Sequence, residues 1–387
     1  MLSRTTFLTG EGVTMQRRFR TRVWIAGAAL LLTACGANAG GGAAGDDSGG
    51  RSGDAPLGKV GVILPETASS ARWEGFDKPM LEEALRAEGF DPDVQNAQGD
   101  VQKFTTLADG MIAQNVKVLI ISSINSEVGG AVAAKAKAAG IPTIDYDRLN
   151  LGGSSEYYVS FDNVRVGELQ GEGLVDALED QDGAEIIEIE GAPTDHNATL
   201  FHEGQRNVLQ PRYDSGEFEL VRSQPIEQWN NQEGGRIFEQ ILTSNGGEVD
   251  GVVAANDGLA SAVITVLKKY GLNGSVPVTG QDATAEGLRA ILRGDQYMTV
   301  FKPIKEEAEA TAKLAAALAK GDTAAAGEIA SDVSEDPQGE REVASVLLEP
   351  YLITKDEVKR VVDEGYVSAD EICPQDLADV CADLGIR

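Results

Sequence analysis

Seven short apolar runs in this chain each end at side chains able to bind a polar molecule. IPTIDY runs into Asp147 and Arg148, KVGVILP is followed by Arg72 and Trp73, and AEIIEIE by Asp195 and Asn197. FELVRSQ precedes Trp229, VDGVVAA precedes Asn256 and Asp257, SVPVTG precedes Gln281 and Asp282, and YMTVFK ends in Lys302. One acid–base pair at one strand end is an ordinary salt bridge. The same chemistry after seven runs is the make-up of a site. Planar carboxylate, amide and guanidinium groups give paired hydrogen bonds to neighbouring hydroxyls. Indole faces pack on the apolar C–H faces of a pyranose ring. With several carboxylates and few cations, the set suits a neutral polyol and not a phosphate or sulfate. Arg148 would reach a ring or anomeric oxygen, with Asp147 holding it in place.

Each residue has a plainer alternative. Trp73 and Trp229 could be core aromatics, Asp257 and Asp282 could cap the helices after them, and Lys302 could be a surface charge at a hinge. His196 and His202, the only histidines, are six apart and off helical register. They read as a loop residue and a helix-surface residue, so no metal site and no cofactor are expected. An enzyme using paired carboxylates as acid and base is a rival reading. Here the acids are interleaved with Arg and Asn, as ionised hydrogen-bond acceptors would be, and no Ser-His-Asp set appears.

These residues need a scaffold that brings strand ends together. From Lys59 the pattern alternates apolar strands with amphipathic helices, the helices falling at 74–88, 101–115, 127–139, 197–210, 230–244, 257–270, 283–293 and 304–320, with one more after Asn163. Continuous apolar strands between amphipathic helices predict α/β layers with parallel sheets covered on both faces. Ligands of such sheets sit beyond the carboxyl ends of the strands. The expectation is two Rossmann-like lobes, a cleft between them and a hinge of about three crossings, near Asn163, near Pro303 and around 335–345.

The chain has 387 residues, long enough for two domains, and a formal net charge of −29, which excludes nucleic acid as a partner. Arg17, Arg18, Arg20 and Arg22 precede an apolar core from Val23 to Leu32, then Thr33-Ala34-Cys35. This is the plan of an export signal, too short for a spanning helix of about 20 residues. A cysteine at that point resembles a bacterial lipobox, which implies cleavage after residue 34 and lipidation of Cys35. Residues 1–14 carry no such logic, and Met15 is an alternative start. Residues 35–58 form a Gly-rich tether spanning roughly 25 Å. Cys373 and Cys381, close together in an exported chain, are expected to form a disulfide.

The segments ARWEGF, YDRL, VSFDNVRVGELQG, AANDGLA, TGQDA and MTVFKPI resemble the D-xylose-binding proteins of ABC importers, within the type I periplasmic sugar-binding proteins. The resemblance runs in order from about Lys59 to about Tyr351. It implies a monomer that closes on an aldopyranose, D-xylose first, and offers it to an ABC permease, touching the membrane through its lipid anchor alone. It also implies sugar contacts from Arg72, Asp147, Arg148, Asp195, Asn197, Asn256, Asp282 and Lys302, with the ring between Trp73 and Trp229. One departure is DHN at 195–197, where the family pattern has two asparagines after the Asp; it bears on sugar preference. The lobes are expected at 57–162 plus 304–340 and at 163–303 plus 341–387. Glucose, arabinose or ribose as ligand, or a sugar-sensing role beside a chemoreceptor or sensor kinase, remain open. A transcriptional repressor sensor would need an N-terminal helix-turn-helix where this chain has a signal and tether.

Overall fold

The computed structural model describes residues 57–67, 70 and 72–387. The export signal, Cys35 and most of the tether lie outside the described residues. No described helix is long and apolar enough to cross a membrane.

The first lobe alternates β1 (Lys59–Leu64), α1 (Lys78–Ala87), β2 (Asp91–Asn96), α2 (Val101–Ala113), β3 (Leu119–Ile121), α3 (Ser126–Ala138), β4 (Thr143–Tyr146) and β5 (Tyr157–Phe161). A short π-helical turn, Trp73–Asp77, leads into α1. The second lobe comprises α4 (Asn163–Ala177), β6 (Ala184–Glu190), α5 (His196–Ser215), β7 (Phe218–Pro225), α6 (Asn231–Ser244), β8 (Gly251–Ala254), α7 (Asp257–Tyr270), α8 (Ala285–Arg293) and β9 (Thr299–Phe301). The chain then returns through α9 (Ile304–Lys320) and α10 (Thr323–Ile329) to β10 (Asp332–Asp336), β11 (Arg341–Leu348) and β12 (Tyr351–Ile353).

The first sheet has the order β10-β11-β5-β4-β3-β1-β2, parallel except for the β10–β11 hairpin. Val60, Val62 and Leu64 pack on one side of β1, and Ile63 on the other with Ile121, Phe104 and Val132. Burying each such side chain contributes about 1.5–3 kcal/mol, which is why the central strands are apolar on both faces. The second sheet runs β7-β6-β8, all parallel. The expected strand SVPVTG is reduced to a single bridge, Val252 to Val278, and β9 pairs antiparallel with β12. Helices α4 and α5 cross at Gly167 and Gly204. A Cβ on either would lie 1.9 Å from a carbonyl oxygen of the other helix, so this contact requires glycine.

The chain passes between lobes after β5, after β9 and between β11 and β12. The third crossing falls later than 335–345. Strand β11 was expected in the second lobe, yet Ala344–Leu348 pairs in parallel with Tyr157–Phe161 of the first. The alternation of a half-buried edge strand does not reveal which sheet it joins; only the pairing does. Cys373 and Cys381 are bonded, in a C-terminal segment that buries Ile372, Leu377 and Ile386 against α8 and β9 residues. From this segment Tyr366 stacks on Phe76, ring centroids 4.2 Å apart, and meets Phe301 edge-on at 5.0 Å.

Candidate functional site

Between the lobes, at the carboxyl ends of both sheets, lies a cavity lined by all ten residues expected from the sequence. Arg72, Trp73, Asp147 and Arg148 come from the first lobe. Asp195, Asn197, Trp229, Asn256 and Asp282 come from the second, and Lys302 from a crossing. Ser70, Phe201 and Gln281 complete the wall. The space open to the centre of a water-sized sphere is about 30 Å³.

Local sequence explains the placement. Asp195 and Asn256 end strand connections and cap α5 and α7, accepting from the Asn197 and Leu259 amides. The cap of α7 is thus Asn256, and Asp257 is instead a buried acceptor for Thr284, Gln296 and Thr299. Nor does Asp282 cap α8; Thr284 does. Asp147, Trp229 and Asp282 all have positive φ, 60°, 54° and 95°. Non-glycine residues in that region cost of order 1–3 kcal/mol and persist only where the surroundings fix them. Around Asp147 the fixing groups are visible: its carbonyl accepts from Tyr158 Oη at 2.9 Å, Ser160 Oγ at 2.9 Å and Asn197 Nδ2 at 2.8 Å.

Arg72 organises the first-lobe wall. It is 2% exposed. Its Nε and Nη2 donate to both Asp77 oxygens at 2.9 and 2.7 Å, Nη1 to Asp147 Oδ2 at 2.7 Å, and Nη2 also to Glu307 Oε2 at 3.0 Å. Burial alone would weaken protonation of Arg72; Asp147 and Asp77 outweigh it and raise the guanidinium further. Burial likewise pushes against ionisation of Asp147, and Arg72, Lys302 and Arg148 more than reverse it, holding this carboxyl below the usual range. Glu307 goes the other way. Burial pushes it well above the usual carboxylate range despite the pull of Arg72, with Asp147 and Asp77 adding to the push.

The expected pairing of Asp147 with Arg148 is therefore corrected. As sequence neighbours at a left-handed residue they diverge: Asp147 turns to Arg72 and Lys302, and Arg148 bridges Ser123 and Glu66 of its own lobe to Asp195 of the other. Arg148 Nη1 donates to the Ser123 carbonyl at 3.1 Å and Nη2 to Glu66 at 3.3 Å, while Nε lies 3.1 Å from Asp195 Oδ2. Asp195 also receives Trp229 Nε1 at 3.1 Å, which sets the plane of that indole, with Phe201 edge-on to it. Lys302 Nζ lies 3.3 Å from Asp282 Oδ1 and 3.8 Å from Asp147 Oδ2, over Phe161 and Phe201. Asn197 is spent on the protein: besides Asp147, its Oδ1 accepts from Tyr158 and Asn163.

Four buried polar atoms of the lining have no aligned hydrogen-bond partner among the described residues: Trp73 Nε1, Arg148 Nε, Gln281 Oε1 and Asp282 Oδ1. Two are donors and two are acceptors. Arg148 Nε and Asp282 Oδ1 still lie within ion-pair distance of Asp195 and Lys302, which leaves Trp73 Nε1 and Gln281 Oε1 as the two without a partner among the described residues, where buried polar groups are ordinarily paired. His196, the departure in DHN, is not in this wall; it lines a separate groove with Asp162, Glu203 and Val333. Ser70 and Phe201 carried no strand-end signal. Phe201 is one turn inside α5 and reads from sequence as core. Gln281 stood at a strand end but was outshone by its acidic neighbour.

A model of the periplasmic binding protein domain matches residues 60–323. The D-xylose-binding periplasmic protein of Escherichia coli is 34% identical over 315 residues, covering 81% of this chain and 92% of that protein. The multiple sugar-binding periplasmic protein SbpA of Azospirillum brasilense is 35% identical, covering 79% and 89%. Among solved structures, an ABC transporter solute binding protein from Clostridium phytofermentans with bound β-D-glucose superposes with a TM-score of 0.74 at 30% identity, over 81% of this chain and 99% of that one. This chain belongs to the periplasmic binding protein family, with the two-lobed fold of its type I sugar-binding members. It is a binding protein and not an enzyme.

Proposed function

We propose that the chain is an exported lipoprotein that captures one aldopyranose, D-xylose first, between its lobes and delivers it to an ABC permease. The observation that carries the reading is a buried polar cavity beside Trp73 and Trp229, in which one donor, Trp73 Nε1, and one acceptor, Gln281 Oε1, have no partner among the described residues. A hydroxyl both donates and accepts, so a ring of hydroxyls satisfies such a set where an anion cannot. The cations are already committed to carboxylates, which also favours a neutral ligand. All ten expected residues belong to the proposed site, with Arg72 and Asn197 acting chiefly by holding Asp147. D-Glucose is the second reading, favoured by the glucose-bound structures from Clostridium phytofermentans and Chloroflexus aurantiacus at 30% and 29% identity.

A thermal-shift panel of xylose, glucose, arabinose and ribose tests the reading. A cognate sugar at about 100 times its dissociation constant should stabilise by about 2.7 kcal/mol, and no shift with any aldose would sink it. The anchor is tested separately. Cys35→Ala should release the protein from membranes, and retention after a high-salt wash would remove the lipoprotein assignment.

A further inference from the structure

A second cluster lies behind the sugar-facing wall of the second lobe. Glu188 and Glu190 are two apart on β6, so their side chains leave the same face of the strand. They are 0% and 5% exposed. His202 reaches them from α5, its Nδ1 3.3 Å from Glu190 Oε1, with its own side chain 38% exposed. One donor atom from each of the three lies within 4.8 Å of the others. Neither carboxylate has a lysine or arginine within ion-pair distance among the described residues. Arg206, one turn on, lies over the Tyr213 ring instead.

A further observation points to a cation site. Glu188 Oε1 accepts from Tyr213 Oη at 2.8 Å, yet its Oε2 is buried with no partner among the described residues. The Gln205 amide sits against the Glu190 carboxylate, 2.8 and 3.2 Å from its two oxygens, and its nitrogen donates to them. With His202 also on Glu190, Glu188 Oε2 is the buried carboxylate oxygen of the cluster left without a partner among the described residues, and a cation would satisfy it.

We propose that Glu188, Glu190 and His202 form a binding site for a divalent transition-metal ion of the zinc class. An imidazole with two carboxylates is a borderline donor set that suits zinc better than calcium. Bonds of about 2.0–2.2 Å put donors on a tetrahedral ion roughly 3.3 Å apart, so the cluster must contract slightly. The exposed His202 can make that move and also leaves an entry path. The ion would tie β6 to α5, whose first turn carries Asp195 and Asn197. Sequence reading set both histidines aside for metals because they are six apart and off helical register; the two glutamates meet His202 only in the folded chain.

The test uses the mature chain prepared without an affinity histidine tag, stripped with chelator and dialysed against zinc chloride, with calcium chloride in parallel. Metal analysis should find one zinc per chain and little calcium, and zinc should raise the melting temperature. His202→Ala, at a half-exposed position, and Glu188→Gln should each weaken zinc binding by at least about tenfold. Circular dichroism checks that each variant folds, and His202→Ala decides the matter if Glu188→Gln does not. Failure to retain zinc overturns the proposal. So does zinc retained equally by wild type and His202→Ala, which would place the ion elsewhere.

Discussion

Arg148 is where the binding reading is most exposed to refutation. Its side chain is 11% exposed, and it ties Ser123 and Glu66 of one lobe to Asp195 of the other. Its Nε lies 3.1 Å from Asp195 Oδ2 without being aligned on it, and the side chain lines the cavity, within reach of a sugar oxygen. Losing one charge-assisted hydrogen bond costs about 1.5–3 kcal/mol, which is roughly 10- to 150-fold in affinity. The stability cost of Arg148→Ala should be smaller than the 3–5 kcal/mol typical of a stranded buried ion, because Asp195 keeps Asn197 N and Trp229 Nε1 as donors. About 1–3 kcal/mol is expected. Arg148→Lys should recover part of the stability and little of the affinity, since an ammonium cannot face both lobes and a ligand at once. Calorimetric titration with the best aldose, beside thermal unfolding of each variant, separates the two effects. If Arg148→Ala binds within about threefold of wild type, a difference of about 0.65 kcal/mol, the residue is a clasp between lobes and not a ligand contact.

Two further expectations follow from the same wall. Asp147 is held below the usual carboxylate range, so the folded state binds fewer protons there than the unfolded one. Its contribution to stability is complete above about pH 4 and is lost as pH falls through the folded pKa. Asp147→Asn should therefore lower the melting temperature at pH 7, with the deficit closing in acid; a deficit constant down to pH 3 would mean that ion pairing is not what Asp147 supplies. Gly191 packs beneath the second indole, where a Cβ would lie 2.2 Å from Trp229 Cη2 and 2.7 Å from Ala198 Cβ. Gly191→Ala should cost about 1–3 kcal/mol of overpacking and displace Trp229, weakening sugar binding at least tenfold with the circular dichroism spectrum kept. Unchanged affinity would remove Trp229 from the site.

The order of strands and helices was legible because apolar runs and helical periodicity are local properties of the chain. So was the inventory at the strand ends, since a parallel sheet puts its carboxyl ends on one side and the residues that follow are simply next in sequence. Long-range pairing was not legible. Which sheet takes Arg341–Leu348 is decided by hydrogen bonds to Tyr157–Phe161, nearly two hundred residues earlier. That Asp147 answers to Arg72 and not to its neighbour is decided by a positive φ, which three hydrogen bonds to its carbonyl hold in place. Likewise, Glu188, Glu190 and His202 meet only once α5 packs on β6. Sequence determined which chemical groups the cleft could draw on. Tertiary structure decided which of them pair with one another and which are left facing the cavity, because a buried charge takes the partner that packing brings within about 3 Å, however far away it lies along the chain.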